Sequence, residues 1–426
     1  MPTAITSSAY GTGTGTILDE RVVTFRADEV FQLEPYETAL LAVLQRIGTE
    51  SVPHFQFGWL EKDRTQVQTA INDASPSAWS STTVGATCTA LVTDHAAFAV
   101  KDVIMNITGT AGATASGPWV ARVSASTPAT PSVDLVLIGD AYGGGAIDDV
   151  DNTDDDVLIK IGTAFEEFSS KPDATHIQPA EVLNYIQHFR NTWAVGDYTE
   201  QLDVYGVPEL ALQAEESIGK HRLDVERSSW FGLYLAENDT TVQPTYYSGG
   251  VNEYLTTNLV LYAGVLADWE YGDLVDDAGA VFQYKAGETK LMFAGTEVMN
   301  RMGNPSWQGA GDTVYTNVQN NRDLLSEIFG MRIKEIVLPN GNLRVIPHYE
   351  VFVDRIAPTT PGLISKQCYI LDIRQLRAMT LRNKGIGMIE MNIQDAGQHG
   401  RMDGVYSYFG LEFKHEKRHA RIQFTS

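Results

Sequence analysis

The stretch G-V-P-E-L-A-L-Q-A-E-E-S-I-G-K-H-R-L-D-V-E-R, Gly206 to Arg227, constrains this chain most, because it is a long helical pattern among segments that read as strands and loops. Gly206 suits the start. Pro208 suits the first turn, where its missing N–H costs nothing, and Glu209 favours the positive end of the helix dipole. Leu210, Ala214, Ile218 and Val225 recur at helical spacing, whereas Glu215, Glu216, Lys220, Arg222, Asp224 and Glu226 occupy much of the remaining surface. A narrow apolar stripe with polar faces on both sides packs along one line only, and the rest of the fold is arranged around that line.

A chain of 426 residues exceeds one compact core, which predicts two or three packed units, intertwined rather than strung in a row. Its apolar fraction of 43% and charged fraction of 20% are those of a folded soluble protein. No run approaches the roughly 20 apolar residues of a membrane-spanning helix. The start, M-P-T-A-I-T-S-S-A-Y-G-T-G-T-G-T, lacks the cationic and apolar regions of a secretory signal, which predicts cytosolic synthesis. Cys88 and Cys368 are too few for a disulfide scaffold and form no C-x-x-C pair, so both are expected to be buried small apolar residues. The net charge of −23 argues against sequence-independent binding to nucleic acid, whose affinity comes mainly from Lys and Arg on phosphates. Residues 366–426 nevertheless hold ten Lys or Arg against six Asp or Glu, a basic segment on an acidic chain. Such a segment can meet an acidic patch on a neighbouring copy or simply be solvated.

Along the chain, residues 1–34 read as an extended arm carrying Val22, Val23, Phe25, Val30, Phe31 and Leu33, which must be covered by the same or a neighbouring subunit. Pro35 to Gly48 reads as one short helix, with Pro at its start and Gly at its end. Val52 to Leu60 alternates with aromatic residues and predicts a strand. Residues 84–165, rich in Val, Thr, Ala and Gly with short alternating runs, predict a small all-β insertion. Alternation resumes over Tyr185 to Tyr205, and pairing with Val52 to Leu60 would carry the insertion at the far end of a long hairpin. Beyond the long helix, Lys290 to Met302 reads as strand then helix and Arg322 to Gly330 as a helix closed by glycine. R-I-K-E-I-V-L, N-L-R-V-I-P-H and C-Y-I-L-D-I predict three strands, the first two joined at the tight-turn pair Asn340-Gly341. The end, Gly404 to Phe424, alternates as a closing strand pair.

Several motifs suggest chemistry. H-E-K-R-H, His415 to His419, matches the zinc-peptidase string H-E-x-x-H, in which two imidazoles one helical turn apart hold zinc and Glu416 would be the base. Here Leu411, Phe413 and His415 alternate as in a strand, which would separate His415 from His419 by about 13 Å, and Lys414, Lys417, Arg418 and Arg421 crowd cations around the position of a dication. The zinc reading is therefore set aside, with no catalytic, cofactor-binding or metal residues assigned. G-T-G-T-G-T lacks the flanking strand and helix of a phosphate loop. The acidic run Asp148 to Asp156 lacks the glycine and terminal glutamate of an EF-hand and reads as a solvated loop, with cation binding left open. Asn106-Ile-Thr108 and Asn238-Asp-Thr240 are glycosylation strings without meaning absent a secretory route. No G-x-S-x-G or other nucleophile motif occurs.

The order of elements, namely arm, P-x-x-T-x-L-L-x-x-L-x-R-x-G helix, aromatic strand ending at Trp59, β insertion, N-Y-I-Q strand, long helix and α/β remainder, resembles the major capsid proteins of tailed bacteriophages with the Hong Kong 97 fold. The resemblance implies an α+β fold divided as follows: an N-terminal arm (1–34), a short helix and the first part of an extended loop (35–83), the all-β insertion (84–165), and the return of that loop (166–205). A peripheral domain with the spine helix (206–284), an axial domain (285–375) and peripheral C-terminal strands (376–426) complete it. It further implies a non-enzymatic, self-assembling shell of pentamers and hexamers, an icosahedral head enclosing double-stranded DNA without sequence-specific binding. Expected partners are a separate scaffolding protein, a portal and decoration proteins, with synthesis in the host bacterial cytoplasm. An encapsulin-like bacterial compartment is the rival within the fold, and that reading would lack the β insertion.

Overall fold

The computed structural model describes residues 38–424 apart from 63–66, 108–117, 128–129, 142–145, 148–151, 170–177, 203–207, 238–242, 263, 285–288, 305–306, 308–324, 329–330, 349–350 and 353–363. The fold is mixed α+β with strands dominating, as the sequence implies. It divides into two compact units, one built from the described residues up to Trp59 and from Glu181 onward, the other from Leu60–Ala180. The arm and the first residues of the Pro35 helix lie outside the described residues.

The long helix spans Glu209–Phe231, four residues past its expected end, with Pro208 as its N-cap rather than inside the first turn; Gly206 is outside the described residues. It stops at Gly232 because backbone crosses there. A Cβ on Gly232 would lie 2.1 Å from the carbonyl oxygen of Ser248, and Gly250 donates its N–H to the Gly232 carbonyl at 2.8 Å. The leading helix Ala39–Ile47 buries Leu40, Leu41, Val43 and Leu44 and closes on Gly48, whose φ of 112° is open to glycine.

The strand expected over Val52 to Leu60 is two strands. Thr49–Val52 runs parallel to Leu376–Leu381, and Gln56–Glu61 pairs with Ala180–Tyr185; Pro53, with no N–H to donate, sits in the break. The regular alternation expected to Tyr205 ends at Val195, followed by a helical turn at Asp197–Glu200. The expected pairing of Val52 to Leu60 with Tyr185 to Tyr205 is therefore not the one found: Gln56–Glu61 takes the preceding strand Ala180–Tyr185 instead. Gln187–Val195 takes Arg401–Phe413 as its antiparallel partner, from Gln187↔Phe409 to Val195↔Arg401.

The largest sheet is a seven-stranded mixed one in the order Leu259–Tyr262, Ala420–Phe424, Gln367–Leu371, Thr289–Ala294, Gly341–Pro347, Met331–Leu338, Leu325–Ile328. Both faces of its centre are covered. Leu291, Phe293, Ile346, Tyr369 and Leu371 join the core that holds the long helix, while Met292, Ala294, Val345, Cys368 and Ile370 join a second core under the helix Tyr271–Phe282. This two-sided burial explains why the central strands read as continuous apolar runs instead of alternating. The strand–helix reading of Lys290 to Met302 holds, as Thr289–Ala294 and Thr296–Gly303. The expected pairing across Asn340-Gly341 holds too, closing on Leu338↔Gly341.

Two expectations fail in this sheet. Leu325–Ile328, expected within a helix, is a strand hydrogen-bonded to Met331–Leu338, so an available sheet edge overrides local helical preference. The closing strands do not pair with each other: Arg401–Phe413 belongs to a five-stranded sheet and Ala420–Phe424 to the seven-stranded one.

The unit Leu60–Ala180 is a six-stranded antiparallel sheet in the order Gln68–Ala70, Val157–Thr163, Asp102–Asn106, Trp119–Thr127, Ser132–Asp140, Thr87–Leu91. Its first and last strands meet. Ile71 bridges Val92, and Thr93 donates its N–H to the Ala70 carbonyl at 2.9 Å, so the sheet closes into a small barrel. Trp79, Trp119, Ile104, Val123, Leu135 and Leu158 fill it. The strand Gln68–Ala70 lies ahead of the range 84–165 in which the sequence places the β elements.

A buried carboxylate node and a crossover between sheets

The burial pattern of the long helix differs from the sequence reading. Leu210, Ala214 and Ile218 are half-buried, whereas the fully covered positions cluster in the C-terminal half: Gly219, His221, Leu223, Val225, Glu226, Ser229 and Trp230. Glu226, expected on a polar face, is wholly buried. The signal was present in the spacing. Gly219, Leu223, Glu226 and Trp230 step by four, three and four, so Glu226 lies in the middle of an apolar stripe.

Four donors converge on its carboxylate. Oε1 accepts from the Leu40 N–H at 2.9 Å, the Trp230 indole at 3.1 Å and His348 Nε2 at 2.7 Å, and Oε2 accepts from the Leu41 N–H at 2.7 Å. The leading helix needs this. Its N-cap Thr38 makes no side-chain capping bond and its first turn holds no acid, so orphan amides at its start are satisfied by a residue 185 positions away. Negative charge at a helix N-terminus is also favoured by the dipole. Around the node, the Trp230 ring packs against Phe352 (4.9 Å between centroids), Tyr369 (5.0 Å) and Phe293 (5.2 Å).

One turn earlier, His221 ties the same helix to the five-stranded sheet. Nδ1 bonds the Asn191 side-chain oxygen at 2.8 Å and Nε2 bonds Ser407 Oγ at 2.6 Å, which in turn accepts the Gly387 N–H at 2.8 Å. Burial holds the imidazole below its ordinary pKa. Ser407 and His221 are fully covered and Asn191 is half-buried, so this serine–histidine–asparagine string joins elements inside the fold. Two buried polar residues therefore set the helix's register along its length, which a uniformly apolar stripe would leave free to slide.

The zinc-like string occupies the crossover between the sheets. Arg401–Phe413 ends, His415 turns with φ of 54°, Glu416–Arg418 makes one 3₁₀ turn and Ala420–Phe424 enters the other sheet. Each letter has a structural partner. Glu416 accepts from Thr256 N–H (2.9 Å), Thr256 Oγ1 (2.6 Å), Thr257 N–H (3.3 Å) and Thr257 Oγ1, and these bonds hold its carboxyl below the usual range despite burial. His419 is buried against Phe413. Its Nδ1 accepts the Asp372 N–H at 3.2 Å and its Nε2 donates to the Lys414 carbonyl at 3.1 Å; burial depresses its pKa to about 3. Both ring nitrogens are committed to backbone, and His415 sits on a turn, not one helical turn away on a shared face. Beneath the crossover, buried Lys290 donates to the Arg418 carbonyl at 3.0 Å, and Arg418 pairs with Asp372 at 2.7 Å.

The remaining candidates are structural in the same sense. Cys88 lies buried in the barrel, donating to the Ser77 carbonyl at 3.1 Å, and burial pushes its thiol up to about 11. Cys368 is buried in the seven-stranded sheet and shifted the same way. Of the acidic run, Asp148, Asp149 and Asp151 lie outside the described residues. Asp156 is buried and accepts from Asn106 Nδ2 at 2.9 Å, so part of the expected solvated loop is core. That bond also occupies Asn106 of the first glycosylation string; Asn238 is outside the described residues. Among the described residues no group of three or more His, Cys, Asp or Glu is placed to hold a metal, and no helix is long and apolar enough to cross a membrane.

Residues 10–426 match the profile described as SU10 major capsid protein. The chain belongs to that family. A major capsid protein of Pseudomonas phage PaMx41 is 30% identical over 158 residues, 34% of this chain and 36% of that relative, so the aligned part spans about a third of the relative's length. Among solved structures, the capsid of Myoviridae phage XM1 is 10% identical with a TM-score of 0.44, covering 96% of this chain and 99% of that one. The capsid of a native GTA particle is 8% identical with a TM-score of 0.43, covering 96% and 97%. The SrpI encapsulin of Synechococcus elongatus PCC 7942 is 12% identical with a TM-score of 0.39, covering 58% and 77%. The features above, which fix one helix against two sheets, form the internal frame of this member of a capsid protein family.

Proposed function

We propose that this chain is the major capsid protein of a tailed bacteriophage and builds an icosahedral head of pentamers and hexamers around double-stranded DNA. The observation that carries the reading is the family match across residues 10–426, nearly the whole chain. The architecture supports it. One long helix is locked to two sheets by buried polar bonds, which resists sliding of the helix under load, and residues 60–180 close a barrel with its own core. In this reading residues 1–34 are the arm laid over neighbours, 35–83 and 166–205 belong to the extended loop, and 84–165 supply its β module. Residues 206–284 form the peripheral domain with the spine helix, 285–375 the axial domain, and 376–426 return to the periphery. The barrel favours a phage shell over an encapsulin-like compartment.

The net charge of −23 suits a container wall, because tightly bound duplex would hinder filling and ejection. A separate scaffolding protein, a portal and decoration proteins complete the assembly, with synthesis in the bacterial cytoplasm. The test is electron microscopy of the full chain expressed with and without a scaffolding partner. Closed shells with five- and six-fold capsomers are expected, and a chain that stays monomeric at every concentration would refute the assignment.

A further inference from the structure

The hydrogen bonds of the serine–histidine–asparagine string all run one way. Asn191 Nδ2 donates to the exposed Asp224 carboxylate at 3.3 Å, which turns the amide so that its oxygen faces His221 Nδ1 at 2.8 Å. Nδ1 therefore holds the proton. Nε2 is then a bare acceptor, and the Ser407 hydroxyl 2.6 Å away must donate to it; the serine oxygen in turn accepts the Gly387 N–H at 2.8 Å. From Gly387 through Ser407, His221 and Asn191 to Asp224, each group donates to the next. A proton added to Nε2 breaks that order. The imidazolium is a donor on both sides, so the Ser407 hydrogen has to swing away, and Ser407 is fully covered. Either the Gly387 N–H gives way or a buried hydroxyl goes unpaired.

What Gly387 anchors is lightly held. Residues 382–387 connect Leu376–Leu381 to the short strand Met388–Glu390, which meets Arg401–Phe413 over three pairs, Met388↔Tyr406 to Glu390↔Gly404. The connection is tied to the same long strand by the Tyr408 N–H on the Gly385 carbonyl at 3.2 Å and by the Gly387 N–H on Ser407. Gly387 itself has φ of 73°, with open space where a side chain would lie. Losing one of so few bonds opens such a segment locally. Burial disfavours charge on His221, Asp224 on its own helix favours it, and His188 on the neighbouring strand opposes it. Also on the helix, Lys220 is paired with Glu216 at 2.7 Å. On the strands, Asp403 is paired with Arg401 at 2.9 Å and Glu390 with Arg190 at 3.8 Å, and Lys384 lies over the Tyr406 ring at 5.1 Å. The bond to Gly387 is therefore whole above the ordinary histidine range and weakens as pH falls below it.

We propose that His221, Ser407 and Gly387 form a proton-operated clamp: protonation at His221 Nε2 frees the Gly387 amide, and residues 382–387 open together with the strand Met388–Glu390 while the remaining strands stay paired. The device lies within one subunit and needs no neighbour. It is tested by amide hydrogen exchange of the unassembled full-length chain, read by mass spectrometry over residues 382–391 and corrected for the intrinsic dependence of exchange on pH. Protection there is expected to fall about tenfold between about pH 7 and pH 5, with the barrel strand Trp119–Thr127 unchanged. Ser407→Ala should show the low protection already at pH 7. His221→Gln, which keeps an acceptor toward Ser407 and a donor toward Asn191, should stay protected at both pH values. Asp224→Asn, at the exposed end of the string, should move the fall to lower pH, because the carboxylate that favours the imidazolium is gone. Protection independent of pH in the natural chain, full protection of Ser407→Ala at pH 7, or a fall that survives His221→Gln and disappears in His188→Gln overturns the clamp. A fall that does not move in Asp224→Asn overturns it as well, whether or not His221→Gln folds.

Discussion

Replacing Glu226 with alanine strands four buried hydrogen-bond donors at once: the Leu40 and Leu41 amides, the Trp230 indole and His348 Nε2. Each buried donor left unsatisfied costs about 1–3 kcal/mol, and the vacated space admits water that recovers some of it, so a loss of about 4 kcal/mol or more is expected. Glu226→Gln separates the contributions. Its oxygen can occupy the Oε1 position and keep Leu40, Trp230 and His348, but its amide then faces the Leu41 N–H, donor against donor, for a loss of about 2 kcal/mol. The assay is denaturation of the unassembled full-length chain combined with amide hydrogen exchange. Protection should fall first at Leu40 and Leu41, because the start of the leading helix loses its remote cap, while core amides of the barrel such as that of Leu158 keep theirs. A change under about 1 kcal/mol for Glu226→Ala, or unchanged protection at Leu40 and Leu41, would refute the node's role.

The remaining expectations concern pH and folding autonomy. His419 has a folded pKa of about 3, below its ordinary value, so the unfolded chain binds more protons between the two. Stability is therefore lost as pH falls through that window, by about 2 kcal/mol at pH 5, and thermal melts should show a smaller fall between pH 7 and 5 for His419→Gln than for the natural chain. Asp277 has the opposite sign. Burial, helped by Asp273 and Asp276, raises its carboxyl to about 6, so the folded state binds the extra proton and loses stability as pH rises from about 4 to 6. Asp277→Asn should stabilise the fold above pH 6 by about 1–2 kcal/mol after allowing for partial exposure, read as a higher melting point, and change little at pH 4; a gain at both pH values would contradict the assignment. Residues 60–180 expressed alone should fold cooperatively with dispersed amide resonances, because their sheet closes and their core draws on no other residues; an unfolded spectrum would show that the barrel depends on the rest of the chain.

Elements whose signals are local are legible in the residues alone. The long helix, the leading helix closed by Gly48, the strand and helix over Lys290 to Met302 and the turn at Asn340-Gly341 all follow from periodicity and backbone chemistry within a few residues. The all-β character of the insertion was legible from its composition. Which strands pair and which polar groups are buried depends on contacts between residues far apart in the chain. Arg401–Phe413 and Ala420–Phe424 look like one hairpin until the turn at His415 sends them to different sheets, and Leu325–Ile328 looks helical until a sheet edge claims it. The H-E-K-R-H letters suit zinc until Thr256, Thr257, Asp372 and Lys414 occupy them. Glu226 shows the physical reason most directly: a carboxylate is costly to bury alone, and the donors that make its burial favourable come from positions 40, 41, 230 and 348, most of them a separation that no local pattern spans.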